Sequence, residues 1–326
     1  MQCHGCHKND IDGYCNDCRR RLFDGHRVHP ILPFSTPKAD NLTLFQEKTK
    51  HLSISGVQLK YSIKREGKEL ILTEKGGQYI LKPIPPSTHL IDREQAPENE
   101  HLTMQIAAQL FDINTAANGL IYFNDGAPAY LTKRFDLRPD GRKYQQEDMA
   151  QLSGRTRFTH GEEFKYNGTY EDIGQLIRQY VGAYMPALEA FFRVVFFNYL
   201  FSNGDAHLKN FSLIQTPIGD YQLAPAYDLM CTVLHTPMEA ETALDLYPQS
   251  MDEPFYGSYG YYGQPEFREL SNRLGILPIR RDRILTQLIS ATDKVEKMVA
   301  QSFLSEQAKA KYLYAYHDKL RRMAQK

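Results

Sequence analysis

Asn198-Tyr199-Leu200-Phe201-Ser202-Asn203-Gly204-Asp205-Ala206-His207-Leu208-Lys209-Asn210 is the stretch on which the reading of this 326-residue chain turns. An apolar helix-forming run stops at Asn203-Gly204, a pair that favours helix termination. The loop that follows presents Asp205, His207, Lys209 and Asn210. Eighteen residues beyond Asn210, a second aspartate stands between apolar neighbours in Leu223-Ala224-Pro225-Ala226-Tyr227-Asp228-Leu229. Polar turns after helices are rich in Asp, Gly and Asn, so Asp205–Asn210 alone decides nothing. The second aspartate shifts the balance, because Asp-x-x-x-x-Asn followed by a separate Asp supplies the groups that phosphoryl transfer requires. Asp205 is placed to orient an attacking hydroxyl and accept its proton. Asn210 and Asp228 offer hard oxygen ligands suited to Mg²⁺, and Lys209 can neutralise charge on the transferred group.

Working outward, Lys82 ends the apolar strand Tyr79-Ile80-Leu81-Lys82-Pro83, and Glu100 lies on the helix expected next. A strand-end lysine is often a snorkelling surface residue. Ahead of the Asp/Asn/Asp set, it reads as a phosphate-binding lysine held by Glu100. Ser53-Ile54-Ser55-Gly56-Val57-Gln58-Leu59-Lys60 has the small residues that let backbone N–H groups approach phosphate oxygens, although any Ser/Gly turn before a strand looks similar. Leu131-Thr132-Lys133-Arg134-Phe135-Asp136 ends a strand where an adenine-binding hinge would fall, or is an ordinary strand end.

Strands are expected over Tyr61–Lys64, Leu70–Thr73, Gln78–Lys82, Leu120–Phe123 and Ala129–Phe135, the last two flanking the turn Asn124-Asp125-Gly126. Helices are expected over Leu42–Lys50, Glu98–Phe111, 171–182, 187–201 and 279–323, the last broken near Ser305. Pro237–Tyr262 is irregular and tyrosine-rich. The fold class is therefore α+β and two-lobed, with a Cys-rich knuckle (1–25), a connector and small β-rich N-lobe (26–136) and a larger helical C-lobe (137–326). Equal numbers of basic and acidic residues, 39 each, argue against a bulk nucleic-acid footprint. With no signal-peptide pattern and no apolar run of membrane-spanning length, the cytosol is the expected compartment and no membrane partner is expected.

Four of the five cysteines fall in the first eighteen residues, as Cys3-x-x-Cys6 and Cys15-x-x-Cys18. Two such pairs suit a structural Zn²⁺ site, with His4 or His7 as substitute ligands; reduced thiols packed on the small lobe are the alternative.

Several of these blocks together resemble one family, the HipA-like kinases: Ser53 to Lys60, Tyr79 to Pro83, Asn99-Glu100-His101-Leu102, Lys133 to Asp136, Asn203 to Ser212 and Leu223 to Leu229. Phe164-Lys165-Tyr166-Asn167-Gly168 sits where that family has an activation-loop-like segment. The resemblance runs in order over roughly residues 50–300. It implies a two-lobed protein-kinase-like fold and a Mg²⁺/ATP-dependent serine/threonine kinase, usually the toxin of a toxin–antitoxin pair. By position, it implies Asp205 as catalytic base and Asn210 and Asp228 as Mg²⁺ ligands. ATP contacts fall on Ser55, Gly56, Val57, Gln58, Lys60, Lys82, Glu100, Lys133, Phe135, His207 and Tyr227. It also implies autophosphorylation at Ser53 or Ser55. With only about fifty residues before the phosphate loop, the chain looks like the short HipT-type form. The expected partners are a helix-turn-helix antitoxin, through which alone DNA is reached, and a separate small protein resembling the missing N-terminal subdomain. The expected substrate is an aminoacyl-tRNA synthetase, tryptophanyl first and glutamyl second, whose phosphorylation stops translation. A small-molecule phosphotransferase and a catalytically silent binding module are the competing readings.

Overall fold

Period-two alternation of apolar residues builds the first layer. The computed structural model describes residues 1–37 and 59–325; the helix expected over Leu42–Lys50 lies outside them. Strands β1 (Tyr61–Glu66), β2 (Glu69–Leu72), β3 (Tyr79–Pro83), β4 (Asn118–Tyr122) and β5 (Pro128–Lys133) form one antiparallel sheet in the order β2-β1-β3-β5-β4. Gly67 takes the left-handed φ of +60° at the β1–β2 hairpin turn. Because successive side chains face opposite sides of a strand, Tyr79, Leu81, Ala129 and Leu131 join one buried cluster with Leu22, Phe23 and the N-terminal cysteines. Ile80, Lys82 and Thr132 face the other way, into the cleft between the lobes.

Helix α1 (Asn16–Phe23) packs the knuckle on β5, and the longer α2 (Ala96–Leu110) packs on β4 and β5. Helix α2 is buried almost all round, polar residues included: Asn99, Glu100, His101, Thr103 and Gln105 are each at most 1% exposed. So many buried polar groups require dedicated partners, and these are described with the site below.

The second lobe is helical: α3 (Tyr170–Tyr180), α4 (Tyr184–Leu200), α5 (Gln264–Arg273), α6 (Pro278–Ile289), α7 (Thr292–Ala300) and α8 (Glu306–Ala324). Thr169 and Asp172 form a capping box at the start of α3. Phe191, Phe192, Phe196 and Phe197 on α4 lie in the main core. A second antiparallel sheet, β6 (Gln146–Asp148), β7 (Ser212–Gln215) and β8 (Tyr221–Leu223), carries the chain from the Asp205 loop to Asp228. No helix of the described residues is long and apolar enough to cross a membrane.

Two expectations need correction. The helix expected over 279–323 breaks where it was expected to, before Ser305, which N-caps α8 by accepting the Ala308 N–H at 3.2 Å, but it breaks a second time, at Ser290-Ala291. The Pro237–Tyr262 stretch contains a helical turn at Pro254–Tyr259 and buries Tyr247 and Tyr262. The short strands β6–β8 and helix α5 were not anticipated from periodicity.

Glu98, in the first turn of α2, is buried, with Oε2 lacking a hydrogen-bond partner among the described residues. Burial pushes its carboxyl up to about 7. A carboxyl whose folded pKa is raised contributes its full stability below the unfolded value and loses it as pH rises through about 7. Glu98→Gln is therefore expected to be stabilising at pH 8.5, by on the order of 1–3 kcal/mol. The gain should vanish near pH 5, as read by urea unfolding at both pH values.

Candidate active site

The centre of the cleft is a buried ammonium. Lys82 is 2% exposed, with Nζ 2.5 Å from Glu100 Oε1 on α2. It also pairs with Asp228 Oδ1 and lies 5.3 Å above the Tyr130 ring. Burial alone would discharge the amine, but Asp228 and Glu100 hold it well above the usual lysine range. Burial likewise raises Glu100, against the pull of Lys82. For Asp228 burial pushes upward, and Lys60 with Lys82 outweighs it and keeps the carboxyl well below its ordinary value. Lys60 Nζ is 3.2 Å from Asp228 Oδ2.

Asp228 occupies the left-handed region at φ +57°, which aspartate tolerates better than most residues. The strap that presents it is pinned on both sides: Ala226 N–H donates to Asn114 O at 2.7 Å, and Ala116 N–H donates to Ala226 O at 2.9 Å. Asn203 Nδ2 donates to the Asp228 carbonyl at 3.3 Å. Just beyond, Asn99 of α2 clamps Cys231 twice, Nδ2 donating to its carbonyl at 2.9 Å and Oδ1 accepting its N–H at 3.1 Å. The helix carrying Glu100 and the strap carrying Asp228 are thereby locked together.

The loop after α4 is held as firmly. Gly204 N–H donates to Thr232 Oγ1 at 2.8 Å, and a Cβ at Gly204 would meet the Ala240 carbonyl at 2.2 Å. Tyr170 hydroxyl donates to Ala206 O at 3.0 Å and Tyr227 hydroxyl to Lys209 O at 2.9 Å. Asn210 faces Asp228, Nδ2 to Oδ2 3.5 Å. His207 is largely buried, which pulls its imidazole down to about 4 and keeps it neutral at pH 7. Its Nε2 is 3.8 Å from Asp205 Oδ1, too far for a hydrogen bond.

The structure thus brings Lys60, Lys82, His207, Lys209, Asn210, Tyr227 and Asp228 to the lining of one cleft of about 1050 Å³; Glu100 stands behind Lys82, and Asp205 lies beside His207 rather than on the lining itself. Phe135 stacks on Tyr227 at 5.9 Å. Lys133 lines the cleft, yet its ammonium is engaged 2.5 Å from Asp24 at the end of α1. Ser53, Ser55, Gly56, Val57 and Gln58 lie outside the described residues. Two contacts were not singled out from sequence: the Asn99 clamp, and Tyr166, whose hydroxyl donates to Asp205 Oδ1 at 2.5 Å. The resemblance marks Phe164–Gly168 as a segment, but nothing in the sequence singles out the Tyr166 hydroxyl within it as the partner of Asp205.

The donor set around Asp228 fits a hard cation. Its carboxylate, part-exposed to the cleft, offers hard oxygens, and the Asn210 amide stands 3.5 Å from it while its own Oδ1 accepts the His207 N–H at 3.1 Å. Positive charge already gathers at that point in the form of Lys60 and Lys82.

The HipA-like C-terminal domain family matches residues 52–299, a span that contains every one of these cleft residues. The chain belongs to this family. Among HipA-like relatives, a Haemophilus influenzae protein named as a candidate kinase is 28% identical over 315 residues, covering 92% of this chain and 89% of that protein. Kinase-named Y4dM of Sinorhizobium fredii is 32% identical over 67% of this chain, and the serine/threonine-protein kinase toxin HipA of Shewanella oneidensis is 24% identical over 78%. The chain spans only 54% and 58% of those two. Shewanella HipA, solved in a complex with HipB and its operator DNA, superposes with a TM-score of 0.59 at 21% identity, covering 89% of this chain and 71% of that one. The HipA-like fold expected from the sequence is borne out.

Asn99→Ala would leave the Cys231 N–H and carbonyl buried without these partners. Its expected cost is about 2–4 kcal/mol, read as a lower urea midpoint at unchanged m-value.

Proposed function

We propose that this chain is a Mg²⁺/ATP-dependent serine/threonine kinase of the HipA-like toxin class. The observation that carries the reading is the convergence of Lys82, Glu100 and Asp228 from three separate elements, with Asn210 facing Asp228 from the loop that also carries Asp205. Buried charges cost several kcal/mol to desolvate, so this arrangement is not expected of a chain that only binds a partner. Lys82, oriented by Glu100, binds donor phosphate oxygens; Asn210 and Asp228 hold Mg²⁺. When bound, the ion neutralises phosphate charge and aligns the γ-phosphoryl group. Asp205 accepts the proton of the acceptor serine or threonine hydroxyl as the new O–P bond forms, the bond to the β–γ bridging oxygen breaks and ADP leaves. Lys209 stabilises the transferred group. His207, buried and neutral, supports the loop.

The acceptor we propose is an aminoacyl-tRNA synthetase, tryptophanyl first and glutamyl second, with arrest of translation as the outcome and the cytoplasm as the setting. Autophosphorylation at Ser53 or Ser55 is the proposed self-control. A helix-turn-helix antitoxin is the proposed partner, a reading supported by the HipB complex of the Shewanella relative, together with a small protein resembling the N-terminal subdomain of longer relatives.

Incubation with Mg²⁺ and γ-labelled ATP, alone and with a synthetase panel, tests this. One labelled synthetase, with labelling lost in Asp205→Asn, is expected, along with self-label mapping to Ser53 or Ser55. Transfer only to a small-molecule acceptor, or ATP binding without any transfer, would overturn it. The Tyr166 hydroxyl holds the same carboxylate oxygen that an incoming hydroxyl needs. Tyr166→Phe is therefore expected to lower KM for the protein acceptor about fivefold, the equivalent of ~1 kcal/mol, with little change in kcat.

A further inference from the structure

Cys3, Cys6, Cys15 and Cys18 bring their sulfurs within 4.8 Å of one another, at the back of the small lobe and away from any group that phosphoryl transfer uses. Cys6 and Cys15 Sγ are 3.7 Å apart. Four thiolates at about 2.3 Å from a tetrahedral ion stand about 3.8 Å from one another, so the spacing is that of sulfurs sharing one ion. It is far longer than the roughly 2.05 Å of a disulfide, and all four thiols are free. Backbone donors are aimed at the cluster: Cys15 N–H to Cys3 Sγ at 3.2 Å and Cys18 N–H to Cys15 Sγ at 3.5 Å. Hydrogen bonds of this kind favour the thiolate form.

The two cysteine pairs sit on turns that present their sulfurs to a common centre. His7 N–H donates to Cys3 O at 3.0 Å, closing the first turn, and Cys15 is the N-cap of α1. The packing around the sulfurs is tight enough that a Cβ at Gly5 would stand 2.7 Å from Cys18 Sγ. Twenty-odd residues with one short helix can bury little apolar surface alone, and segments of this size commonly depend on a metal for their structure.

The far side of the knuckle meets α2. His7 Nε2 lies 3.0 Å from Nδ1 of His101, the residue after Glu100, and His101 is fully buried. A second seam joins the knuckle to β4: Leu120 N–H donates to His4 O at 2.8 Å, and Tyr14 hydroxyl donates to Leu120 O at 2.5 Å.

We propose that Cys3, Cys6, Cys15 and Cys18 bind one zinc ion as four thiolates, and that the filled site braces α2 through the His7–His101 contact. The ion thus acts at a distance on the helix that orients Lys82 through Glu100. The effect on phosphate binding rests on the kinase reading; the metal site and the brace do not.

The test uses the full chain, never exposed to chelator. Elemental analysis is expected to find about one zinc per chain, released in step with the modification of about four thiols by an organomercurial. Cys6→Ser and Cys18→Ser should lose the metal, whereas Cys231→Ser should keep it. If the serine variants fail to fold, the wild-type release titration still decides. Metal-free chain with four freely reactive thiols, metal-free chain with paired disulfides, or iron in place of zinc would each overturn the assignment. For the brace, His7→Ala should retain zinc while amide exchange over Leu102–Gln105 accelerates several-fold and that of α5 stays unchanged. Unaltered exchange in α2 would refute the coupling, whatever the chain's activity toward ATP.

Discussion

One ammonium group shared between two carboxylates organises this molecule. Lys82 is almost fully enclosed, and an enclosed cation persists only where its lost hydration is replaced by well-placed anions. Glu100 and Asp228 come from a helix and a strap that are far apart in sequence, so the requirement is met only when both lobes are assembled. Much of the surrounding structure can be understood as holding these three side chains in register. The Asn99 clamp on Cys231 fixes the helix against the strap, the Ala226 backbone pairs fix the strap against residues 114–116, and β3 delivers Lys82 by simple alternation.

Helix α2 is the hub of this arrangement, and its chemistry differs from that of an ordinary buried helix. Three consecutive polar residues face three different partners: Asn99 the Cys231 backbone, Glu100 the Lys82 ammonium and His101 the His7 imidazole. Because successive helical residues point about 100° apart, one turn can bind the C-lobe, the cleft and the knuckle at once. An aliphatic residue at any of the three positions would pack adequately and still leave a buried polar group elsewhere without its mate.

The strands of the small sheet, α2, and the Asp205–Asn210 and Asp228 segments were legible in the sequence, because each rests on a local signal. Alternation marked β1, β3 and β5; Asn203-Gly204 marked the end of α4; residue type and order marked the acid/amide/acid set. Less legible were features whose cause is tertiary. Strands of three or four residues such as β6 and β8 carry too short a pattern to detect, and the break at Ser290-Ala291 contains neither glycine nor proline to announce it. Tyr166 meets Asp205 only because a loop folds across the cleft, and Asn99 finds Cys231 across more than a hundred residues of chain. Lys133 shows the converse: its position on the strand was expected, while its pairing with Asp24 depends on where the knuckle docks.

Phe303 lies edge-on to His4 and His7, with ring centroids 5.8 and 5.4 Å away, so the knuckle is covered by a residue made long after it. About two hundred residues separate His101 from Phe303, and at synthesis rates of about 5–20 residues per second the back of the small lobe waits roughly 10–40 seconds for its cover. Until then the knuckle and α2 lack their outer wall. A chain that stops short of Phe303 keeps every residue that lines the cleft but lacks the aromatic plug behind the hub helix. Under the toxin reading, that order of assembly withholds a finished catalyst until synthesis has passed Phe303.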